Sequence, residues 1–302
     1  MALNLATFRK RLLTAVVFAA IMLVGLIWNQ WSFFILFTII HFGCWIEYQR
    51  IIALIEPEYR EITAFHRYGV MLAGWCIMLY FTNDTFNLGD LSLHSVGFWL
   101  GLMFVFLLPL VELLLAKLMS AKNIGLSFGG IIYISLSLAL MIGLYEYRSP
   151  SHDVQNGPNI PLALTLAIWI NDTMAYLVGS FIGKTPFSKI SPKKTWEGTL
   201  GGIILTVVII GFLGSSQYSM LIGIPVNAVI DDNHIEDYHW FIIAALAGIA
   251  GTIGDLFESK LKRTANIKDS GHIMPGHGGF LDRFDSVLFA VPVVYVYVWL
   301  FM

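Results

Sequence analysis

The chain has 302 residues, of which 57% are hydrophobic and 13% charged, against about 25% charged in an ordinary water-soluble domain. That composition excludes a soluble globular enzyme and a disordered chain alike. Lys and Arg (18) nearly balance Asp and Glu (20), so no basic field points to nucleic acid, and the information lies in where the charges sit.

A helix needs about 20 apolar residues to cross the roughly 30 Å hydrocarbon core. In chain order the candidate runs are Leu12 to Trp28, Trp31 to Ile46, Tyr68 to Phe81, Val96 to Leu115, Ile124 to Tyr145, Ile160 to Ile182, Thr199 to Leu213, Trp240 to Leu256 and Val287 to Phe301. The second, third and seventh are short. Unsatisfied backbone groups cannot face lipid, so each run is read as a helix, and the fold class is an all-α, polytopic membrane bundle of about nine transmembrane helices. The first run follows Arg9, Lys10 and Arg11 like a signal peptide, but its apolar stretch is longer than the usual 7–15 residues and eight more runs follow, so it is read as a retained span. The chain is treated as a single membrane domain, 1–302, with N-terminal spans in 1–150 and a catalytic half in 151–302. Cys44 and Cys76 lie inside apolar runs without CxxC or Cys/His spacing, and read as buried hydrophobes rather than zinc ligands or a disulfide.

Positive charges favour the cytoplasmic side of short loops. With nine spans and a cytoplasmic N-terminus, only Arg148 of the 18 Lys and Arg falls on the opposite side. The expected orientation is therefore a cytoplasmic N-terminus and an outside C-terminus.

Two cytoplasmic segments carry polar residues of functional type. Asp172 sits within the sixth run, where a carboxylate costs about 2.5–3.5 kcal/mol on insertion scales. Tyr176, Gly179 and Gly183 share its helical face, so the face is expected to line a wet cavity; an Asp that only packs helices together is the plainer alternative. The loop that follows, GKTPFSKISPKKTWEG, offers Lys193 and Lys194 among Gly and Pro. Lysine ammoniums and loop amides suit a polyanion, although any cytoplasmic loop collects lysines. The GxxxxGK[ST] spacing of a P-loop is missing.

The second segment, Gly254 to Asp285, reads GDLFESKLKRTANIKDSGHIMPGHGGFLDRFD. Orientation explains its cations but not its acids. Asp255, Glu258 and Lys262 share one helical face at the end of the eighth run, and Asp282 and Asp285 share another at the start of the ninth. Carboxylates brought together by two adjacent helix ends need a cation between them or must be protonated. All-oxygen ligation points to a hard ion such as Mg²⁺, which uses one or two carboxylates plus substrate phosphates. Between them, Gly278 and Gly279 permit close backbone approach to a ligand, and His277 reads as a phosphate donor, a proton shuttle or a structural partner.

These residues resemble the phosphatidate cytidylyltransferase family, the CDP-diacylglycerol synthases. The likeness runs through Ser259-x-x-Lys262-Arg263, Lys268-Asp269, Pro275-x-His277-Gly278-Gly279 and Asp282-Arg283-x-Asp285, with Asp172-x-x-Ala175-Tyr176 and Ser191 to Gly198 upstream. It spans about Trp169 to Asp285; the first 150 residues share only a general pattern of apolar spans. The resemblance implies an enzyme that condenses CTP with phosphatidate, at a centre of Mg²⁺ and K⁺ held by Asp255 and Asp282. Lys193, Lys194, Lys262, Arg263, Lys268 and Arg283 are then expected on the phosphates, while Asp172, Glu197, Asp269, His277 and Asp285 shape or assist the site. It also implies residence in the inner membrane if the source is bacterial, and a homodimer. Two other readings stay open: a CTP-using enzyme acting on another lipid phosphate, and an ion-coupled transporter, which would place an Asp at midplane but predicts repeated halves with broken helices.

Overall fold

The computed structural model describes residues 5–83, 85–116, 120–148, 157–188, 190–214, 235–271 and 278–302. Each apolar run becomes a helix. They are α1 (Leu5–Ile27), α2 (Gln30–Ile55), α3 (Ala64–Tyr80), α4 (Leu93–Leu115), α5 (Ala121–Glu146), α6 (Asn159–Ile182), α7 (Trp196–Gly214), α8 (Asp237–Thr264) and α9 (Leu281–Phe301). Outside them lie a 3₁₀ turn at Pro57–Glu61 and a two-residue hairpin, β1 (Asn87–Leu88) with β2 (Leu91–Ser92), between α3 and α4.

The expected count of nine spans is corrected on one point: among the described residues, seven helices are long and apolar enough to cross a membrane. At 1.5 Å per residue, α3, with 17 residues, is about 25 Å long, short of the roughly 30 Å core. In α1 the apolar stretch among the residues whose side chains are described is Leu13–Ile27.

Local chemistry sets several helix ends. Asn29 and Ser32 form a reciprocal capping box at the start of α2, and the Thr63 hydroxyl accepts from the His66 amide at the start of α3, which satisfies amides that a helix start leaves orphaned. Within α5, Ile131–Leu136 winds as a π turn. There the Ser135 hydroxyl meets His41 Nε2 at 3.0 Å and accepts from Trp45 Nε1 at 2.8 Å, so the Trp45 indole and one His41 nitrogen on α2 find a partner on α5 inside the bundle.

The core is centred on α2, α5 and α9, whose buried Phe33, Phe37, Trp45, Ile142, Leu288 and Val291 interlock. By contrast, α4 buries almost none of its apolar side chains, as suits a helix whose solvent is lipid. Both cysteines are free and buried. Tight pairing of α6 with α7 rests on small residues: a Cβ added at Gly198 would stand 2.7 Å from the Ala175 carbonyl oxygen, and one at Gly202 would stand 2.9 Å from the Ala175 amide nitrogen, the close backbone approach that small-xxx-small spacing permits. Gly254 likewise lets α8 touch the Asp285 carbonyl of α9.

Candidate active site

A cleft of about 450 Å³ opens where α6, α8 and α9 meet the loop between α6 and α7. Into it come Asp172 from α6, Lys193 and Lys194 from the loop, Asp255 from α8, and Asp282 and Asp285 from α9. Six residues singled out by sequence thus line one cavity. Asp172 lines this opening, so an intramembrane carboxylate faces the cleft rather than lipid.

The loop owes its shape to Glu197, the second residue of α7. Its carboxylate accepts from the Thr185 amide (3.1 Å), the Thr185 hydroxyl (2.8 Å) and the Lys184 amide (3.2 Å). A negative group there is also favoured by the helix N-terminus. Phe187 packs edge-on against Trp196 with ring centroids 4.4 Å apart, and Phe187 N donates to Lys194 O at 2.8 Å. Glu197 therefore folds the loop that presents Lys193 and Lys194, and does not itself enter the cleft. Lys194 forms an ion pair with Asp255.

On the far side, Lys262 is paired with Glu258 one turn earlier on α8 and with Asp282 Oδ1 on α9 at 2.5 Å. The cation that clustered carboxylates demand is here partly supplied by the chain itself. Asp282 Oδ2 accepts from Ser270 N and Gly279 N at 2.8 Å each and lies 2.9 Å from Ser270 Oγ. Those bonds tie the loop before α9 to its first turn. Gly278 has φ +83°, and a side chain there would strike the Asp282 carboxylate, so both the backbone conformation and the space require glycine.

A second cleft of about 340 Å³ lies between α1 and α6, bounded by Thr14, Phe18 and Trp169; it shares Asp172 with the first and contains Arg283. Arg263, Lys268 and Asp269 are exposed and line neither cleft, and the Arg263 guanidinium donates to Ile267 O at 3.3 Å. His277 lies outside the described residues.

Among the described residues no three His, Cys, Asp or Glu side chains converge into a ready metal cage. The donor set nevertheless fits a hard cation. Asp255 and Glu258 meet lysine ammoniums, yet neither Asp255 Oδ2, nor the Glu258 oxygens, nor Asn171 Oδ1 receives a well-directed hydrogen bond, although all are buried. Asp285 is buried within electrostatic reach of Asp255, Glu258 and Asp172. Among the described residues the cleft offers oxygen donors with neither thiolate nor imidazole, a set that suits Mg²⁺, which typically takes one or two carboxylates plus substrate phosphates.

Sequence reasoning missed Glu47. This α2 residue is buried, and its carboxylate accepts from Ser270 Oγ at 2.6 Å and from Phe280 N and Leu281 N at 2.9 Å each. The first 150 residues therefore do contribute to the site, against the expectation that they share only a pattern of spans. The one available signal was an acid at the inner end of an apolar run, indistinguishable from an ordinary boundary residue.

The sequence profile described as the cytidylyltransferase family matches residues 9–301, well beyond the stretch from Trp169 to Asp285 in which the motifs lie. The phosphatidate cytidylyltransferase of Thermotoga maritima is 31% identical over 268 residues, 84% of this chain and 89% of that protein. The protein of the same description from Rickettsia typhi is 36% identical over 207 residues, covering 65% of this chain and 82% of the relative. That from Bacillus subtilis is 35% identical over 194 residues, covering 63% and 66% respectively.

Proposed function

The chain belongs to the cytidylyltransferase family, and on that footing we propose that the cleft between α6, α8 and α9 condenses CTP with phosphatidate, releasing pyrophosphate and leaving CDP-diacylglycerol in the membrane. The observation that carries this reading is the meeting, in one cavity among apolar helices, of Lys193 and Lys194 with Asp172, Asp255, Asp282 and Asp285. Such a site can hold a polyphosphate and a lipid phosphate at once.

In the reaction a phosphate oxygen of phosphatidate attacks the α-phosphorus of CTP. A new phosphorus–oxygen bond forms, the bond to the oxygen bridging the α- and β-phosphates breaks, and that electron pair leaves on pyrophosphate. Phosphatidate is already an anion, so the enzyme needs no nucleophile of its own. Lys193 and Lys194 neutralise the triphosphate and the charge that grows on the leaving group. Arg283, facing the cleft beside α1, attracts the lipid phosphate, while Thr14, Phe18 and Trp169 give that cleft the partly apolar wall an acyl chain requires. Glu197 keeps the lysine loop folded, and Lys262 steadies Asp282. Asp255 and Asp282, with Asp285 beside them, would hold Mg²⁺ and the accompanying K⁺. When bound, the metal supplies positive charge to the phosphate oxygens.

The positive-inside rule supports a cytoplasmic site and N-terminus, where CTP is available, and the bacterial relatives support a bacterial inner membrane as host. The test is pyrophosphate release by purified protein in detergent with CTP, phosphatidate and Mg²⁺, omitting each in turn and replacing phosphatidate with an isoprenoid phosphate. Release is expected only with all three present. Release that does not depend on phosphatidate, or that prefers the isoprenoid, would sink the assignment.

A further inference from the structure

The first amides of a helix have no intrahelical partners, and a Ser, Thr, Asp or Asn beside them in sequence usually accepts their hydrogen bonds. At the start of α9 the N-cap position is Phe280, which provides no side-chain cap. The acceptor comes instead from α2: Glu47 Oε1 takes the Phe280 amide and Oε2 the Leu281 amide, each at 2.9 Å, where the helix N-terminus also favours a negative group. Glu47 Oε2 further accepts from Ser270 Oγ at 2.6 Å. That hydroxyl is 2.9 Å from Asp282 Oδ2 and accepts from Asp282 N at 3.2 Å. With one proton and two carboxylate neighbours, Ser270 links Glu47 directly to Asp282. Two glycines of the same loop are explained at once, because a Cβ at Gly271 or Gly279 would collide with the Glu47 carboxylate.

We infer that Glu47 is a positioning residue for the reaction: from a different helix it caps α9 and, through Ser270, fixes the orientation in which Asp282 faces the cleft. It does not line the cleft itself. The inference rests on the reading of that cleft as the site of cytidylyl transfer.

The test compares wild type with Glu47→Gln and Ser270→Ala, purified in detergent, by steady-state kinetics with CTP and phosphatidate, by thermal unfolding, and by amide exchange around Phe280 and Leu281. Gln keeps the shape but places an amide donor against backbone donors. Ser270→Ala leaves both Glu47 bonds to α9 and the Ser270 amide bond to Asp282 in place, and removes the hydroxyl that joins Glu47 to Asp282. A displacement of about 1 Å at a reacting centre costs up to about 100-fold, so kcat is expected to fall about 10- to 100-fold in both variants. KM for CTP should stay within about threefold, as befits an interaction made chiefly in the transition state. Glu47→Gln should also speed exchange at Phe280 and Leu281. A lower melting temperature with wild-type kcat per folded molecule would reduce Glu47 to a structural role and overturn the inference. Wild-type kcat in Ser270→Ala would overturn it even if Glu47→Gln fails to fold. An inactive wild type would instead count against the proposed reaction, while unchanged exchange in Glu47→Gln would still refute the cap.

Discussion

Lys262 offers the sharpest test of how the site tolerates its own acids. Its side chain is 12% exposed, and it pairs with Glu258, which is fully buried, and with Asp282, 11% exposed. Replacing it by Met keeps the aliphatic stem and removes the charge. Breaking one partner from a buried ion pair costs about 3–5 kcal/mol, because the remaining charge is stranded. Here Glu258 loses its ion-pair partner outright, whereas Asp282 keeps the Ser270 and Gly279 amides on its Oδ2. Taking 3–5 kcal/mol, and about 2–4 °C per kcal/mol, the melting temperature of Lys262→Met in detergent should fall by roughly 10 °C. Adding Glu258→Gln removes one stranded charge and should recover at least half of the loss, a coupling well above the 0.5 kcal/mol that independent sites show. Activity should not recover with stability, since Asp282 still lacks the ammonium 2.5 Å from its Oδ1. Thermal unfolding of the two single variants and the double variant, beside pyrophosphate release, decides the matter. A Lys262→Met protein as stable as wild type, or a double variant no more stable than Lys262→Met, would refute the bridging role.

The other expectations are simpler. Lys194→Ala removes a partly exposed ion pair with Asp255, so stability should change by less than about 1 kcal/mol, while CTP turnover should fall at least tenfold in the same pyrophosphate assay. Gly279→Ala forces a methyl group into the Glu47 carboxylate, and should leave protein that is recoverable from the membrane but inactive. A normal rate would show that the loop moves freely. Chelation of divalent ions should abolish turnover and Mg²⁺ should restore it; turnover that persists in excess chelator would remove the metal from the proposal. Glu197→Gln weakens the charge-assisted bonds that close the lysine loop, and should raise both KM for CTP and proteolytic nicking between Gly183 and Thr195, read by limited digestion.

Some features were legible before any coordinates because they depend on local chemistry. Apolar runs must be helices in lipid, whatever their neighbours, so all nine runs from Leu12 to Phe301 emerge as α1 to α9. Glu258 lies one turn and Asp255 two turns from Lys262 by helical spacing alone; the Gly278–Gly279 pair reads in sequence as room for a ligand, but the groups that approach it are the Asp282 and Glu47 carboxylates. The number of long apolar spans was less legible, because length against the membrane depends on boundaries: α3 stops at Tyr80, where its C-terminal turn begins.

What the sequence by itself determined, then, was an all-α membrane chain with its charged residues gathered beside helix ends, since period and hydropathy are properties of neighbouring residues. Only the tertiary structure decided which of those charges meet. Glu47 and Ser270 are separated by 223 positions, and no periodicity reaches across that distance. Glu197 turned inward to its own loop, Arg283 faced a second cleft beside α1, and Arg263 stayed outside, although each stands in one of the family's motifs. Helix packing sets such choices, because burial and backbone hydrogen bonds fix a side chain's direction only when the partner helix is in place.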